Sequence, residues 1–359
     1  MAFFSTFTKQ DKTVLLRGYF GNLNVGDEAI LSVIIEKLNK KGYNNIIVAS
    51  KDPSHTQRIH GVEACESGLT FSFLKAFLKS HILIEAGGNK HGFLSIIDLG
   101  LPFVAKFLGK KIYYVAVGLS PYRWKGLPLH NKKPITKYSF IKRTILFILF
   151  NYVVDFVSVR DENSKRFLEI NGVNPKKIKI TKDPAFELEG SSFLVNTLRK
   201  NGIDLTDPLI CVIPRTFLDN DLNKLLSEKL VVLIMKLIKN LHTQVVLMNF
   251  SSEDRGLVYK IYSALPKEVK ANVWTIDATS FHPREVKGFI SVCKVVIGAR
   301  YHSLIFAISE NVPSVALVYD HKMMKLSNRY LDLQPVDNFQ EEKVMKKIKE
   351  VLEGGETTG

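Results

Sequence analysis

Arg300 and His302 stand two residues apart in the run Val295-Val-Ile-Gly-Ala-Arg-Tyr-His-Ser303, and they pair a permanently charged planar cation with a group that titrates near neutrality. With a helix N-terminus close by, these residue types suit a small, highly charged anion and proton transfer beside it. Their neighbours say how they are held. Val295, Val296 and Ile297 are the β-branched run of a central parallel strand, and Gly298 permits a sharp turn after it. Open α/β sheets bind ligands at the carboxyl ends of their strands, where this sequence places Arg300, His302 and Ser303, the last a good helix starter facing the same crevice.

The same strand, glycine turn and helix pattern recurs along the chain. Val14-Leu-Leu-Arg17 reads as a first strand, followed by Gly18-Tyr-Phe-Gly-Asn-Leu-Asn-Val-Gly-Asp27 and a helix over about residues 28–38. Gly18, Gly21 and Gly26 let backbone approach a ligand, and Asp27 either caps the helix or touches substrate. The glycine spacing matches neither the dinucleotide fingerprint nor the P-loop. Strands at 46–48 and 81–85 follow, the second ending in Ala86-Gly-Gly-Asn89. A helix over 94–108, strands at 112–117, 155–159 and 178–180, and a turn at Asp183-Pro-Ala-Phe186 complete the first half.

Residues 188–207 are polar and read as a linker; strands at 208–213, 244–248, 272–276, 295–297 and 314–320 then alternate with helices. The expected fold class is α/β: two Rossmann-like domains facing across a cleft, residues 1–187 and 208–336, with a surface helix and tail over 337–359.

Composition sets outer limits. The 359 residues, 46% hydrophobic and 24% charged, suffice for two cores, and the start Met1-Ala-Phe-Phe-Ser lacks a secretory pattern, so a cytoplasmic protein is expected. Cys65, Cys211 and Cys293 are too scattered for a disulfide scaffold or zinc site, and no His, Asp or Glu cluster has ligand spacing, so no metal or cofactor is expected. The net charge of +15 fits nucleic acid, anionic lipid or phosphorylated substrates. Basic residues concentrate at Arg123, Lys125, Lys132, Lys133, Lys137, Lys142 and Arg143, beside the apolar run 145–154. That run is shorter than the about 20 residues a membrane span needs. It reads as a buried helix first and as a peripheral membrane contact second.

These landmarks resemble the polysaccharide pyruvyl transferase family over most of the chain: the opening Gly18 to Ile30, Ser158-Val-Arg-Asp-Glu-Asn-Ser164 with Asp183-Pro-Ala-Phe186, Gly298-Ala-Arg-Tyr-His-Ser303, and Tyr319-Asp-His-Lys322. The resemblance implies a fold like the two-domain GT-B glycosyltransferases. It also implies transfer of a pyruvyl group from phosphoenolpyruvate to two hydroxyls of a sugar, giving a cyclic ketal and phosphate. By match, Arg300 and His302 correspond to the family's donor-site arginine and catalytic histidine, and Arg215 in Val212-Ile-Pro-Arg-Thr-Phe217 to a further donor arginine. Tyr301, Ser303 and Lys322 join them on the donor side; Gly21, Asn22, Asp27, Gly87, Gly88 and Asn89 fall on the acceptor side. The chain departs from the family in Asn89-Lys-His91, where a third glycine and Ser or Thr are usual, and in Tyr301, where a small aliphatic residue is common.

Phosphoenolpyruvate carries a carboxylate and a phosphate on a small frame, and arginine forks such as Arg300 and Arg215 match both groups. Lys322 is placed to neutralise departing phosphate or to sit solvated. His302 suits the proton traffic, its structural alternative being a core histidine bonded to a carbonyl; His282 reads as a helix cap. Arg160 and Asp161 read as a structural pair. The acceptor is a sugar, lipid-linked in one reading, and no nucleic-acid partner is expected. Two rivals remain: a nucleotide-sugar glycosyltransferase of the same architecture, and a non-catalytic protein binding acidic glycan or nucleic acid.

Overall fold

Short strands, the central ones apolar and buried along their length, assemble into two all-parallel sheets, as expected when helices cover both faces. The computed structural model describes residues 12–91, 96–120, 138–200, 207–324, 326 and 330–354. In the first unit the strands are β1 (Val14–Arg17), β2 (Ile46–Ser50), β3 (Glu63–Glu66), β4 (Ile82–Ala86), β5 (Asn89–His91), β6 (Lys111–Ser120), β7 (Phe156–Val159) and β8 (Ile178–Ile180). Their order is β3-β2-β1-β4-β6-β7-β8, with β5 beside β6. From β1 the chain winds one way to β2 and β3, then returns on the other side at β4. The switch point between β1 and β4 is therefore flanked by both glycine turns.

The second unit repeats the plan with β9 (Leu209–Ile213), β10 (Gln244–Asn249), β11 (Val273–Asp277), β12 (Val295–Gly298), β13 (Ser314–Val318) and β14 (Asp332–Pro335), ordered β11-β10-β9-β12-β13-β14. Its switch point lies between β9 and β12. This unit comprises Ala185–Gly359 and also takes in Leu23–Gly26. Val25 donates to the Phe250 carbonyl at 3.0 Å, Ser252 donates to the Leu23 carbonyl at 3.0 Å, and Asn24 forms an isolated antiparallel bridge with Ser251.

Several expectations change. The opening helix runs Val25–Asn39 rather than from residue 28, and its start is tied by Asn24, whose Oδ1 accepts from the Gly26 amide at 3.0 Å. Asp27, expected either to cap this helix or to touch substrate, is not the cap but sits inside the first turn. The supposed linker contains the helix Phe193–Lys200, which buries Leu194 and Val195, although 201–206 lie outside the described residues. Its approach is a glycine crossing: a Cβ on Gly288 would lie 2.0 Å from the Ser191 carbonyl oxygen. The terminal helix Glu341–Leu352 is not merely a surface tail, since Val344, Met345 and Ile348 are buried.

The apolar run 145–154 is only half buried. It divides between the helix Phe140–Ile148 and a π-helical turn, Leu149–Val153, burying Leu146, Leu149, Phe150 and Val153 while leaving Phe147, Ile148 and Tyr152 exposed. Of the basic cluster, Arg123 to Lys137 lie outside the described residues; Lys142 is exposed and Arg143 partly so. No helix among the described residues is long and apolar enough to cross a membrane.

Candidate functional site

Four neighbouring strands of the second unit deliver their chemistry at the same edge. Arg215 follows β9, Asp254 follows β10, Arg300 follows β12 and Tyr319 follows β13 directly, so the group straddles the switch point between β9 and β12.

Asp254 ties this edge together. It is fully buried, and its carboxylate accepts from Arg300 Nε at 2.8 Å, from Arg300 Nη2 at 2.6 Å and from the Thr216 amide at 2.9 Å. Burial opposes the Arg300 charge, but the Asp254 carboxylate more than offsets it, and the guanidinium is held more firmly protonated than usual. Glu253 Oε2 lies 3.5 Å from the same Nη2. Arg300 is only 7% exposed. The Nε–Nη2 edge of the fork, expected to grip the donor, is thus taken up by carboxylate, and among the described residues Nη1 has no hydrogen-bond partner. Ser303 is corrected as well. Its hydroxyl donates to the Arg300 carbonyl at 2.6 Å, and the side chain is buried, bracing the turn rather than facing a crevice.

Two further cations stand on this edge, Arg215 and Lys322. Arg215 Nη1 donates to the Tyr319 hydroxyl at 2.7 Å, and its guanidinium lies 4.4 Å from that ring's centroid. Lys322 Nζ is 5.0 Å from the Tyr301 ring centroid, and the Tyr301 and His302 rings meet edge to face at 5.4 Å. Lys322 has no carboxylate partner among the described residues.

Burial pushes the Tyr319 phenol up, yet the charges of Arg215, Lys322 and Arg300 outweigh it and hold the phenol below its ordinary value. In Tyr330 burial prevails and the phenol is pushed well up; its hydroxyl is buried with no hydrogen-bond partner among the described residues. Spectrophotometric titration is expected to show one tyrosine ionising below the others, absent in Tyr319→Phe. The sign follows from the depressed folded value. This contribution to stability is complete above the unfolded pKa of about 10 and is lost as pH falls through the folded value. Wild type should therefore gain on Tyr319→Phe as pH rises through the alkaline range.

His302 occupies the first turn of the helix Tyr301–Ser309 and is partly buried against the Leu23–Gly26 segment. A Cβ built on Gly26 would fall 2.0 Å from His302 Nδ1 and 2.3 Å from Cγ. Gly26 is thus a glycine because an imidazole lies against its Cα, rather than because a ligand does.

In the first unit, Gly21 has φ 71° and its amide donates to Glu28 Oε1 at 2.8 Å. A Cβ there would strike Ser50 Oγ at 2.0 Å, so Gly21 serves loop packing and not the ligand approach expected of it. Glu28 Oε2 is 2.7 Å from His60 Nε2 in a buried pair that anchors the loop. Asn22 Nδ2 donates to the Phe20 carbonyl at 3.4 Å. Gly87 and Gly88 both have left-handed backbones, and a Cβ on Gly88 would lie 3.6 Å from Tyr19 and 3.8 Å from Asp27 Oδ1. Gly88, Tyr19 and Asp27 therefore cluster at the switch point. Asn89 opens β5, and its side chain lies outside the described residues.

The sequence profile described as polysaccharide pyruvyl transferase matches residues 24–321. The chain belongs to that family. No curated protein sequence matches it. Among solved structures, this family member is similar to the UDP-GlcNAc 2-epimerase of Methanocaldococcus jannaschii, at 14% identity and a TM-score of 0.62, covering 97% of this chain and 96% of that one. It is also similar to the E. coli ADP-heptose lipopolysaccharide heptosyltransferase II, at 14% identity and a TM-score of 0.57, covering 95% and 98%. A third likeness is to the Neisseria meningitidis UDP-GlcNAc 2-epimerase bound to UDP-GlcNAc, at 11% identity and a TM-score of 0.57, covering 95% and 92%. At such identities the likeness is one of fold: two Rossmann-like units of GT-B type.

The remaining family landmarks prove architectural. Arg160 pairs with Asp183 at 3.2 Å, and Asp161 caps the helix Glu162–Ile170 by accepting from the Ser164 amide at 2.8 Å. His282 caps as expected, accepting from the Arg284 amide at 3.1 Å while Glu285 accepts from the His282 amide at 3.1 Å. Among the described residues no three His, Cys, Asp or Glu side chains come together as metal ligands. Sequence reasoning missed Asp254, Tyr319 and Tyr330. The one available signal was Tyr319 at the end of an apolar strand, inside a segment already singled out.

Proposed function

We propose that this chain transfers the pyruvyl group of phosphoenolpyruvate to two hydroxyls of a sugar during glycan biosynthesis. The observation that carries the reading is the Arg215, Tyr319 and Lys322 cluster beside His302, in a chain that belongs to the pyruvyl transferase family. Arg215 and Lys322 supply the cationic charge for carboxylate and phosphate, with Arg300 Nη1 as a further donor.

His302 delivers a proton to the methylene carbon, which becomes the methyl group and leaves the adjacent carbon electron-poor. A sugar hydroxyl adds to that carbon. The carbon–oxygen bond to phosphate then breaks, its electron pair leaving with phosphate beside Lys322. The second hydroxyl adds and closes the ketal. Of the two hydroxyl protons, one restores His302 and the other leaves with phosphate, so the step needs neither metal nor redox partner. Gly88, Tyr19 and Asp27 in the first unit are the acceptor-side group.

Incubation with phosphoenolpyruvate and candidate sugars is expected to release inorganic phosphate and to add mass to the sugar in equal amounts. Release of nucleotide from a nucleotide sugar, with no turnover of phosphoenolpyruvate, would overturn the proposal and favour the glycosyltransferase reading.

A further inference from the structure

Three helices of the first unit, Phe71–Lys79, Ile96–Phe107 and Phe140–Ile148, send their inner residues into one core cluster. Phe73 and Phe77 come from the first, Leu101 and Ala105 from the second, and Leu146 from the third, so all three cover the same face of the sheet. Their outward residues should then be polar. Instead Phe71, Leu78, Phe107, Phe140, Ile141 and the adjoining Tyr152 are all strongly exposed, Phe107 at 90% and Phe140 at 81%.

The charges on these three helices are nearly all of one sign, although Lys79 lies 3.7 Å from Glu63 of the neighbouring strand. Lys75, Lys79, Lys106 and Lys142 are exposed, whereas the three helices hold a single acid, Asp98, which is bonded to Arg17. The nearby Asp155 is likewise engaged by Lys106 and Lys111, at 3.1 Å and 3.2 Å. Aromatic and aliphatic side chains rimmed by lysine suit insertion below anionic headgroups. A second copy of the same face would instead set lysines against lysines.

We propose that this helix layer docks on an anionic lipid bilayer. In parallel α/β units the helices run back against the strands, so Phe71, Phe140 and Ile141, at helix N-termini, lie at the carboxyl edge that also holds the glycine turns. Docking there brings the acceptor-side loops to the lipid surface. Only this consequence, the meeting with a lipid-carried sugar, rests on the pyruvyl transfer reading.

The test is sedimentation of the full chain with vesicles of phosphatidylcholine alone or mixed with phosphatidylglycerol. Binding to the mixed vesicles only is expected, weakened by salt. The pair Phe107→Ser and Ile141→Ser should lower the bound fraction at least about tenfold, and Lys75→Glu with Lys142→Glu about as much. Circular dichroism and pyruvyl transfer to a soluble sugar should stay unchanged in these variants. No binding to either vesicle, equal binding by the variants, or a dimer in light scattering that the serine pair dissociates would each overturn the proposal. Wild-type binding without any pyruvyl transfer would sink the functional reading and leave the docking surface standing.

Discussion

Replacing His302 by alanine is expected to lower pyruvyl transfer by about 10²–10⁴-fold, the usual range for removing a positioned proton donor. Thermal unfolding should barely move, because the imidazole is partly exposed on the first turn of a helix that Ser303 holds independently. Gly26→Ala gives a sharper test. Gly26 does not have a positive φ, so alanine is acceptable to the backbone, and it is the His302 side chain that forbids it, with Nδ1, Cγ and Cβ at 2.0, 2.3 and 2.8 Å from the added methyl. The whole His302 side chain must be displaced, Cβ included, and activity should fall nearly as far as in His302→Ala with phosphoenolpyruvate still binding. The double variant should then be no worse than either single one, because both remove the same group. Phosphate-release kinetics on the three proteins decide the matter. Full activity in Gly26→Ala would show that the position of His302 is immaterial.

Much of the architecture was legible because it rests on periodicity and turn chemistry. Buried parallel strands such as Leu209–Ile213 and Ser314–Val318 are largely apolar runs, and glycine turns mark the carboxyl ends of others, Val14–Arg17 and Ile82–Ala86. What escaped were elements whose polarity misleads. The helix Phe71–Lys79 carries Phe71, Leu74 and Leu78 on its solvent side beside Ser72, Lys75 and Lys79, so its polar stripe is interrupted by apolar residues. The helix Phe193–Lys200 hides within a polar stretch.

For the site, residue type was readable but partnership was not. Arg300 was recognisable as a functional cation, yet its fork is held by Asp254, 46 residues earlier on another strand end. Nothing local in Ser251-Ser-Glu-Asp254 advertises that pairing. Gly26 was likewise visible as a close-approach glycine, whereas what approaches it comes from the far end of the chain. Sequence shows which groups can do chemistry; the strand order decides which of them meet.

Asp254→Ala should then be the most damaging single change to stability. It removes a fully buried carboxylate and strands the Arg300 guanidinium and the Thr216 amide together, at an expected cost of about 3–5 kcal/mol. Because the chain has two units, the loss should show as an early transition in denaturant melts rather than one shifted midpoint. Asp254→Asn, which keeps one acceptor oxygen, should cost less. Replacing both partners, Asp254→Leu with Arg300→Met, leaves no buried charge unmatched and should recover most of the stability. It should not recover activity, since Arg300 Nη1 is gone and the Thr216 amide beside Arg215 is no longer held. If activity returns with stability, Arg300 is architecture alone, and the donor site is built by Arg215, Tyr319, Lys322 and His302 without it.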